Sequence, residues 1–256
     1  DTVTREFRIK GQGEMHLRVA LDRLKRKFGV SVASRRPQTA YRETIRASST
    51  QRGKHKKQSG GHGQFGDVVM EVRPGVRGGG VVFDQKIHGG VVPKQYFGAV
   101  EDGMHDALQK GPLGFPVVDV EATLLDGSYH SVDSSEIAFR TAARMAVSQA
   151  LPECDPVLLE PVHAVTIHTP SEQIARITAL VPVRRGQILG FEPREGWFGW
   201  DSVRAYIPED ELHDLINEIR SATQGLGELE FTFDHMAEVT GKAAAKVAES
   251  QHAAAK

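Results

Sequence analysis

The chain has 256 residues, of which 39% are hydrophobic and 25% are charged, a composition typical of a folded globular protein. A chain of that length exceeds the usual size of one compact domain and is sufficient for two. The single cysteine, Cys154, excludes an internal disulfide framework and favours a reducing, cytoplasmic location. No apolar run approaches the roughly 20 residues that a membrane span needs, so we expect no membrane partner.

The formal net charge of −1 conceals an uneven distribution along the chain. Residues 1–66 carry a net charge of +11, and residues 67–256 carry −12. The stretch from Thr44 to Gly66 contains no carboxylate, and its cations precede a glycine-rich run. Cations beside bare, flexible backbone suit a polyanion that must be approached closely, and nucleic acid fits best. The alternative is a solvated basic face without a partner.

The predicted elements begin with a β-α-β unit. Residues 3–9 alternate as a strand does, and the apolar residues of 14–28 share one helical face, which predicts a helix ended by Gly29. A short strand over 30–34 follows. Two strands and one helix are too few to be stable alone, so we expect residues 1–35 to be disordered, to dimerise or to contact a partner.

A second block runs from about Ala40 to Cys154. It is predicted to contain two helices, one opened by Pro93 and one capped by Ser134 or Ser135. A basic, glycine-rich loop is expected after the first strand, and a turn at residues 126–127 is expected to lead to an exposed loop. The predicted strands cover residues 41–48, 67–72, 81–87 and 116–125.

The third block, from about residue 155 to residue 239, alternates strands and helices in the order β-α-β-β-α-β. This order is the split βαβ, or ferredoxin-like, sandwich. Ser171 and Pro208 are expected to open its two helices. The predicted fold class is therefore α+β with several domains. The Ala-rich tail, residues 240–256, is predicted to be a frayed helix or disordered.

Two nucleotide-binding motifs can be excluded. Residues 61–66 match G-x-G-x-x-G letter for letter, but a dinucleotide site needs a helix after the motif and an alternating strand follows here. No G-x-x-x-x-G-K-[ST] occurs, so the chain has no Walker A loop. We therefore expect no cofactor in this chain, and we do not expect the chain to be an enzyme.

Metal and hydrolase sites are also disfavoured. The eleven histidines form no H-E-x-x-H and no paired spacing with Cys154, so surface or packing roles fit them better. Ser128, His130 and Asp133 lie in one turn, whereas triad members converge from distant segments. A hydrolase would be labelled at Ser128 by a serine-reactive probe, and we expect no labelling.

His130 is predicted to be exposed at a loop tip. There a neutral imidazole can stack on a base or hydrogen-bond a sugar edge. The alternative is an ordinary exposed turn histidine. Arg184 and Arg185 end a predicted helix, where cation placement is common for reasons unrelated to binding.

Seven segments together resemble elongation factor G, the translocation GTPase of the bacterial ribosome. The resemblance extends from residue 1 to about residue 239. It rests on KQSGGHGQFGDV (57–68), GGVVPKQYFGAVEDGM (89–104), GFPVVDVEATLLDGSYHSVDSSEIAF (114–139), DPVLLEPVHAVTI (155–167), RRGQILG (184–190), IKGQGEMHLRVALDRLKRKFGV (9–30) and RPQTAYRETI (36–45).

The resemblance implies a division of the chain into domains. Residues 1–45 are similar to the second half of domain III, residues 46–154 to domain IV and residues 155–239 to domain V. The resemblance also implies that the GTPase domain, with its GTP and Mg, lies in missing N-terminal domains, which would be further partners of this chain. Residues 193–201, Pro-Arg-Glu-Gly-Trp-Phe-Gly-Trp-Asp, depart from the usual family segment, which suggests a divergent paralogue.

In the family, domain IV is the arm that enters the small-subunit decoding site. The resemblance implies that its tip is built from two loops, residues 58–66 and 126–133, which contact the tRNA–mRNA duplex or rRNA of the ribosome. The candidate ribosome-binding residues are Gly61, His62, Gly63, Gln64, His130, Lys54, Lys56, Lys57, Arg184 and Arg185. Alternative functions are ribosome recycling, a stress role, or a stand-alone RNA-binding module.

Two expectations follow from this interpretation. The bends around Gln64 and His130 should lie side by side, with neither of them buried. If each of the five cations of residues 46–57 neutralises one phosphate, the log–log salt slope is at most about −3.5 for single-stranded RNA, at about −0.7 per contact.

Overall fold

The chain divides into two units, residues 1–40 and residues 41–256. The structure, a computed structural model, describes residues 6–9, 11, 13–58, 63–241, 243–245 and 247. None of the helices among these described residues is long and apolar enough to cross a membrane.

The smaller unit is built around one helix. Helix α1 spans Glu14–Phe28 and ends at Gly29, whose φ of 68° is the left-handed conformation expected at a C-cap, so this prediction is confirmed. The flanking strands differ from prediction: residues 6–9 and 30–34 form no strand, and residues 3–5 lie outside the described residues. The backbone hydrogen bonds of a helix form within the helix, whereas those of a strand need a neighbouring strand. None of the helix residues is buried.

The larger unit opens with a short strand and a four-stranded sheet, here called the arm sheet. Its strand order is β2-β3-β5-β4, antiparallel except for the parallel pair β4 and β5. Two helices pack on it, and the Ser135 hydroxyl caps the second by accepting the N–H of Ala138. The elements are β1 (Arg42–Ile45), β2 (Ser49–Lys57), β3 (Gln64–Pro74), β4 (Val81–Gln85), α2 (Phe97–Leu108), β5 (Val120–Ser128) and α3 (Glu136–Ala150).

The basic segment is a strand rather than the loop predicted from its composition. Strand β2 pairs with β3 along its whole length, from Ser49 opposite Val72 to Lys57 opposite Gln64. The inward position Gly53 is buried against α3, and a Cβ added there would lie 1.9 Å from the carbonyl oxygen of Ala142. A glycine at the inward position hides the apolar alternation by which strands are recognised.

A second sheet follows, here called the ferredoxin-like sheet. Four of its strands have the order β9-β6-β8-β7, and their entirely antiparallel pairing confirms the predicted split βαβ topology. Ser171 lies in a short 3₁₀ turn and does not cap the helix it was predicted to open. The elements are β6 (Pro156–Pro170), α4 (Ile174–Val183), β7 (Gln187–Pro193), β8 (Trp200–Pro208), α5 (Leu215–Ala222) and β9 (Glu228–Glu238).

Strand β1 is the fifth strand of this sheet and connects it to the arm sheet. It pairs with residues 156–159 of β6, and Glu43 also forms a bridge with Val117, which precedes β5 of the arm sheet. The Glu43 carboxylate is buried and accepts the backbone N–H of Phe115 at 2.6 Å; burial raises its pKa. The sequence interpretation places residues 42–45 with domain III, whereas this strand lies inside the larger unit.

The described part of the C-terminal tail contacts the same junction. Residues 241, 243–245 and 247 are helical. Ala243, Ala244 and Val247 pack against a small buried cluster formed by Phe115, Leu158 and Val239. The tail therefore has an apolar attachment between the two sheets, at residues that composition alone describes only as Ala-rich.

Replacing Gly53 tests the close contact between β2 and α3. We expect Gly53→Ala to lower the free energy of unfolding by about 3 kcal/mol, because the new methyl group overlaps rigid helix backbone. Gly98→Ala is the matched control: Gly98 lies in α2 with nothing within 4 Å of an added Cβ, so alanine should raise stability by about 0.5–1 kcal/mol. Urea unfolding followed by circular dichroism measures both. Equal free energies of unfolding for Gly53→Ala and the unsubstituted protein would contradict the close packing of β2 on α3.

Candidate nucleic-acid interface

Two distant bends meet at one end of the arm sheet. The first is residues 63–66 at the start of β3, and the second is residues 129–134 between β5 and α3; together they are called the paired bends. The N–H of Phe65 donates to the carbonyl oxygen of Asp133 at 2.8 Å, and the Ser134 hydroxyl donates to the carbonyl oxygen of Phe65 at 3.0 Å. Gln64 and His130 are exposed beside these contacts. The structure therefore brings together the two residues that the sequence singles out.

Glycines allow this contact. A Cβ at Gly63 would lie 2.8 Å from the Asp133 carboxyl carbon, and a Cβ at Gly66 would lie 2.4 Å from the carbonyl oxygen of Ala138 in α3. The N–H of Gly63 donates to the Asp133 carboxylate at 3.0 Å. These two glycines thus serve packing within the protein. Two other predicted site residues, Gly61 and His62, lie outside the described residues.

The hydrogen bonds of His130 assign its tautomer. Its Nδ1 accepts the backbone N–H groups of Val132 at 3.3 Å and Asp133 at 3.2 Å. A ring nitrogen that accepts hydrogen bonds carries no proton, so the neutral ring holds its proton on Nε2. The side chain is 53% exposed. His130 therefore offers one N–H donor and an aromatic face from a fixed position.

The neighbouring polar side chains extend the same surface. The Gln64 side-chain oxygen lies 2.9 Å from Nε2 of His55, and the Lys54 ammonium lies 5.7 Å from the centre of the Phe65 ring. Lys54, Lys56 and Lys57 are all exposed on β2. Within the described part of the chain, these three lysines form no ion pair. Their charges are therefore available to a ligand.

The two arginines of the basic segment are already paired with carboxylates. Arg52 donates two hydrogen bonds to the buried Asp67, at 2.7 and 2.6 Å, and the Ser128 hydroxyl donates to the same carboxylate at 2.6 Å. Arg52 holds the pKa of Asp67 below its usual range. Arg46 pairs with Glu238. Three of the five cations remain, so the expected limit of the salt slope falls from about −3.5 to about −2.1.

Arg184 and Arg185 lie in the turn between α4 and β7, in elements other than those that carry the paired bends. Arg185 donates to Glu160 at 2.6 and 2.9 Å and to Glu211 at 2.8 Å, and Glu160 raises the pKa of this arginine. Arg184 pairs with Glu218. Because both guanidinium groups are occupied, they join β6 to the segment around α5.

Ser128 and His130 do not form a catalytic pair. The Ser128 hydroxyl donates to Asp67, and Nδ1 of His130 accepts two backbone N–H groups and lies 3.5 Å from the Asp133 carboxylate. A nucleophilic serine needs a hydrogen bond to its base, and neither residue's contacts include one. In the part of the chain that the structure describes, no three His, Cys, Asp or Glu side chains group as metal ligands.

The residues that hold the paired bends together were not predicted from the sequence. Asp133 joins the bends through its carboxylate and its backbone carbonyl, and Ser134 joins them through its hydroxyl. The available signal was the run Asp133-Ser134-Ser135 before an apolar helical pattern, because such residues bond nearby backbone. Their contacts to residues about 70 positions earlier leave no local trace.

Comparison with known proteins identifies the chain as the elongation-factor type of domain assembly. Models of elongation factor G match the chain in succession: domain III over residues 1–36, domain IV over 37–155 and the C-terminus over 157–247. The chain therefore belongs to the elongation factor G family. These models divide the chain at residue 36, where the sequence interpretation divides it at residue 45.

Individual relatives agree with the family models. An elongation factor G-like protein from Synechocystis sp. (strain PCC 6803) is 50% identical over 242 residues, which are 94% of this chain and 36% of that protein. A crystal structure of a protein from Thermus thermophilus matches with a TM-score of 0.86 at 38% identity, over 95% of this chain and 36% of that one. The chain thus spans about a third of the length of these relatives.

The Arg52–Asp67 pair gives a pH-dependent prediction. A carboxylate with a lowered folded-state pKa contributes stability that is present above its unfolded pKa and lost as pH falls through the folded value. We expect Arg52→Gln to destabilise the chain at pH 7 and to lose this effect in acid, where Asp67 is protonated in both proteins. Urea unfolding at several pH values below and above 4 measures the difference.

The control for this prediction is Arg140→Gln. Arg140 binds Asp106 with similar two-bond geometry, at 2.6 and 2.8 Å, but Asp106 is much more exposed than the fully buried Asp67. Exposed ion pairs contribute little, so this control should change stability less. Equal effects of the two substitutions would show that the burial of Asp67 is irrelevant.

Proposed function

We propose that the paired bends are the RNA-contacting tip of a domain IV arm, which enters the small-subunit decoding site during translocation. The observation that carries this proposal is the contact between the two bends, which presents Gln64 and His130 together. The GTPase that times the movement would lie in the part of the family protein that this chain does not span, and the whole protein would work in the cytoplasm on ribosomes.

The side chains of the tip suit RNA. The Nε2–H of His130 and the amide of Gln64 are neutral groups that can bond base edges and 2′-hydroxyls in the shallow minor groove of an RNA duplex. Lys54, Lys56 and Lys57 supply attraction to phosphates without fixing a sequence. The tip performs no bond-making chemistry. It acts as a wedge that keeps tRNA and mRNA from slipping back.

The lysines of β2 have a second physical explanation. β2 is an edge strand of the arm sheet, and lysines on an edge strand discourage pairing with another sheet. The two explanations differ in what they predict for RNA. An edge-protecting lysine leaves RNA affinity unchanged when it is replaced by glutamine, whereas a phosphate-binding lysine changes the salt dependence.

Toeprinting of translocation tests the tip. In the full-length protein that carries this chain, we expect His130→Ala and Gln64→Ala each to slow movement of the mRNA by about tenfold, the effect of losing one or two hydrogen bonds to the transition state. His235→Ala and Gln109→Ala are matched controls, since both side chains are exposed elsewhere. Unchanged rates for both tip variants would exclude the proposal.

The salt dependence of RNA binding tests the lysines. For single-stranded RNA we expect a log–log slope no steeper than about −2.1 from these three residues, and Lys56→Gln should reduce its magnitude by about 0.7. Lys110→Gln removes the same charge from an exposed position beyond the end of α2 and should leave the slope unchanged. Filter binding at low and at high salt measures both slopes. Identical slopes for the unsubstituted protein and Lys56→Gln would contradict phosphate binding by this lysine and favour edge protection.

A further inference from the structure

The hairpin between β7 and β8 carries three aromatic residues on a fixed turn. The backbone N–H of Arg194 donates to the carbonyl oxygen of Trp200 at 2.8 Å, and the N–H of Trp197 donates to that of Arg194 at 3.1 Å. Gly196 and Gly199 both have a φ of 75°, which a residue with a side chain rarely adopts. The N–H of Ser171 donates to the Gly199 carbonyl oxygen and attaches the turn to the end of β6. The turn is therefore ordered by its own bonds.

A stacked arginine stiffens the aromatic residues. The Arg194 guanidinium lies 4.3 Å from the centre of the Trp197 ring and 5.8 Å from that of Trp200, and the two indoles meet edge to face at 5.2 Å. Glu228 holds the same guanidinium at 2.9 Å. Cation–π contacts of this kind fix a ring without covering all of it. Trp197 is accordingly held in place while 48% of it stays exposed.

Phe198, at the tip of the turn, has no packing role. It is fully exposed, at 106% of the reference area, next to the half-exposed Trp197. Single exposed apolar residues are common, but two adjacent large aromatics on an ordered turn resemble the anchors that dominate protein interfaces. Because the turn is fixed before binding, little conformational entropy is lost when such anchors enter a pocket.

The charges around the hairpin select the kind of partner. The two arginines, Arg194 and Arg204, are each paired, with Glu228 and with Glu192. In the described part of the chain, no ion pair neutralises the carboxylates of Glu172, Glu195 and Asp201. A surplus of negative charge repels a phosphate backbone and attracts lysine and arginine. At the paired bends, by contrast, the charges that no ion pair neutralises among the described residues include those of Lys54, Lys56 and Lys57.

We infer that the hairpin of residues 193–200 is a docking site for a basic protein surface, with Phe198 inserted between lysine or arginine side chains and Trp197 stacked against one of them. The inference rests on the proposed function in one respect, because the basic protein surface is expected to belong to the ribosome. Basic side chains match the site twice, because they pair with its carboxylates and stack on its exposed rings. An RNA base could use the rings but would bring phosphates toward the carboxylates.

Photo-cross-linking on purified ribosomes tests the inference. In the full-length protein that carries this chain, Phe198 is replaced by the photo-reactive amino acid p-benzoylphenylalanine. The control variant carries the same replacement at Phe233, which lies on β9 and is 59% exposed. We expect a light-dependent adduct from position 198 that resists nuclease, is destroyed by protease and maps to a segment rich in lysine and arginine. We expect no such adduct from position 233. An RNA adduct from position 198, or none, would overturn the inference.

Cosedimentation of the same proteins with ribosomes separates the two proposals. If the protein does not cosediment, the proposed function fails and the inference fails with it. If it cosediments but position 198 yields no protein adduct, only the inference fails. We further expect Phe198→Ala and Glu195→Lys each to weaken ribosome affinity about tenfold, and Phe233→Ala to change it by less than about twofold. Equal affinities for Phe198→Ala and Phe233→Ala would also count against the hairpin.

Discussion

Helix α3 lies unusually close to strands β2 and β3, and the tip depends on this contact. The helix backbone reaches Gly53 and Gly66 so closely that an added Cβ would lie 1.9 and 2.4 Å from its carbonyl oxygens. Because Ser135 caps α3 immediately before Glu136, docking the first turn on Gly66 places residues 130–134 over the start of β3. The side-by-side position of the two bends is thus a consequence of helix packing.

Two carboxylates, the buried Asp67 and the partly exposed Glu238, decide which cations are available. The Asp67 side chain has no exposed area, and leaving it unpaired would cost far more than an exposed pair contributes, so Arg52 is committed to it. Glu238 similarly occupies Arg46 and Arg77. A count of basic residues along the sequence therefore overstates the charge available to a ligand. The lysines of β2, which form no ion pair among the described residues, keep theirs.

Sequence reasoning reached the elements whose signal is local. The apolar stripe of α1, the cap at Ser135 and the β-α-β-β-α-β alternation all lie within a few turns or strands, and the structure has each of them. Strand β2 was missed because its inward positions are Gln51, Gly53 and His55 rather than apolar residues. Glycine fits there only because α3 packs against it, and that contact is invisible in the sequence.

The candidate site divides in the same way. His130 followed from turn chemistry and from the family resemblance, and Gln64 followed from the resemblance alone; the structure brings their two bends together. The partners of Arg184 and Arg185 come from segments about 25 to 35 residues away, so their internal ion pairs could not be foreseen from the helix end alone. A cation at a helix end looks the same whether it faces solvent or a buried glutamate.

The link between the sheets places the two proposed surfaces, the paired bends and the hairpin, on one compact unit. Strand β1 pairs with β6 and bridges to Val117, and the buried Glu43 carboxylate bonds the backbone at Phe115, so the arm sheet and the ferredoxin-like sheet form one compact unit. Two contacts on one such unit reinforce each other, because binding through the first raises the effective concentration of the second. A basic protein surface held by the hairpin would therefore keep the tip near its RNA, and each contact can be weak by itself.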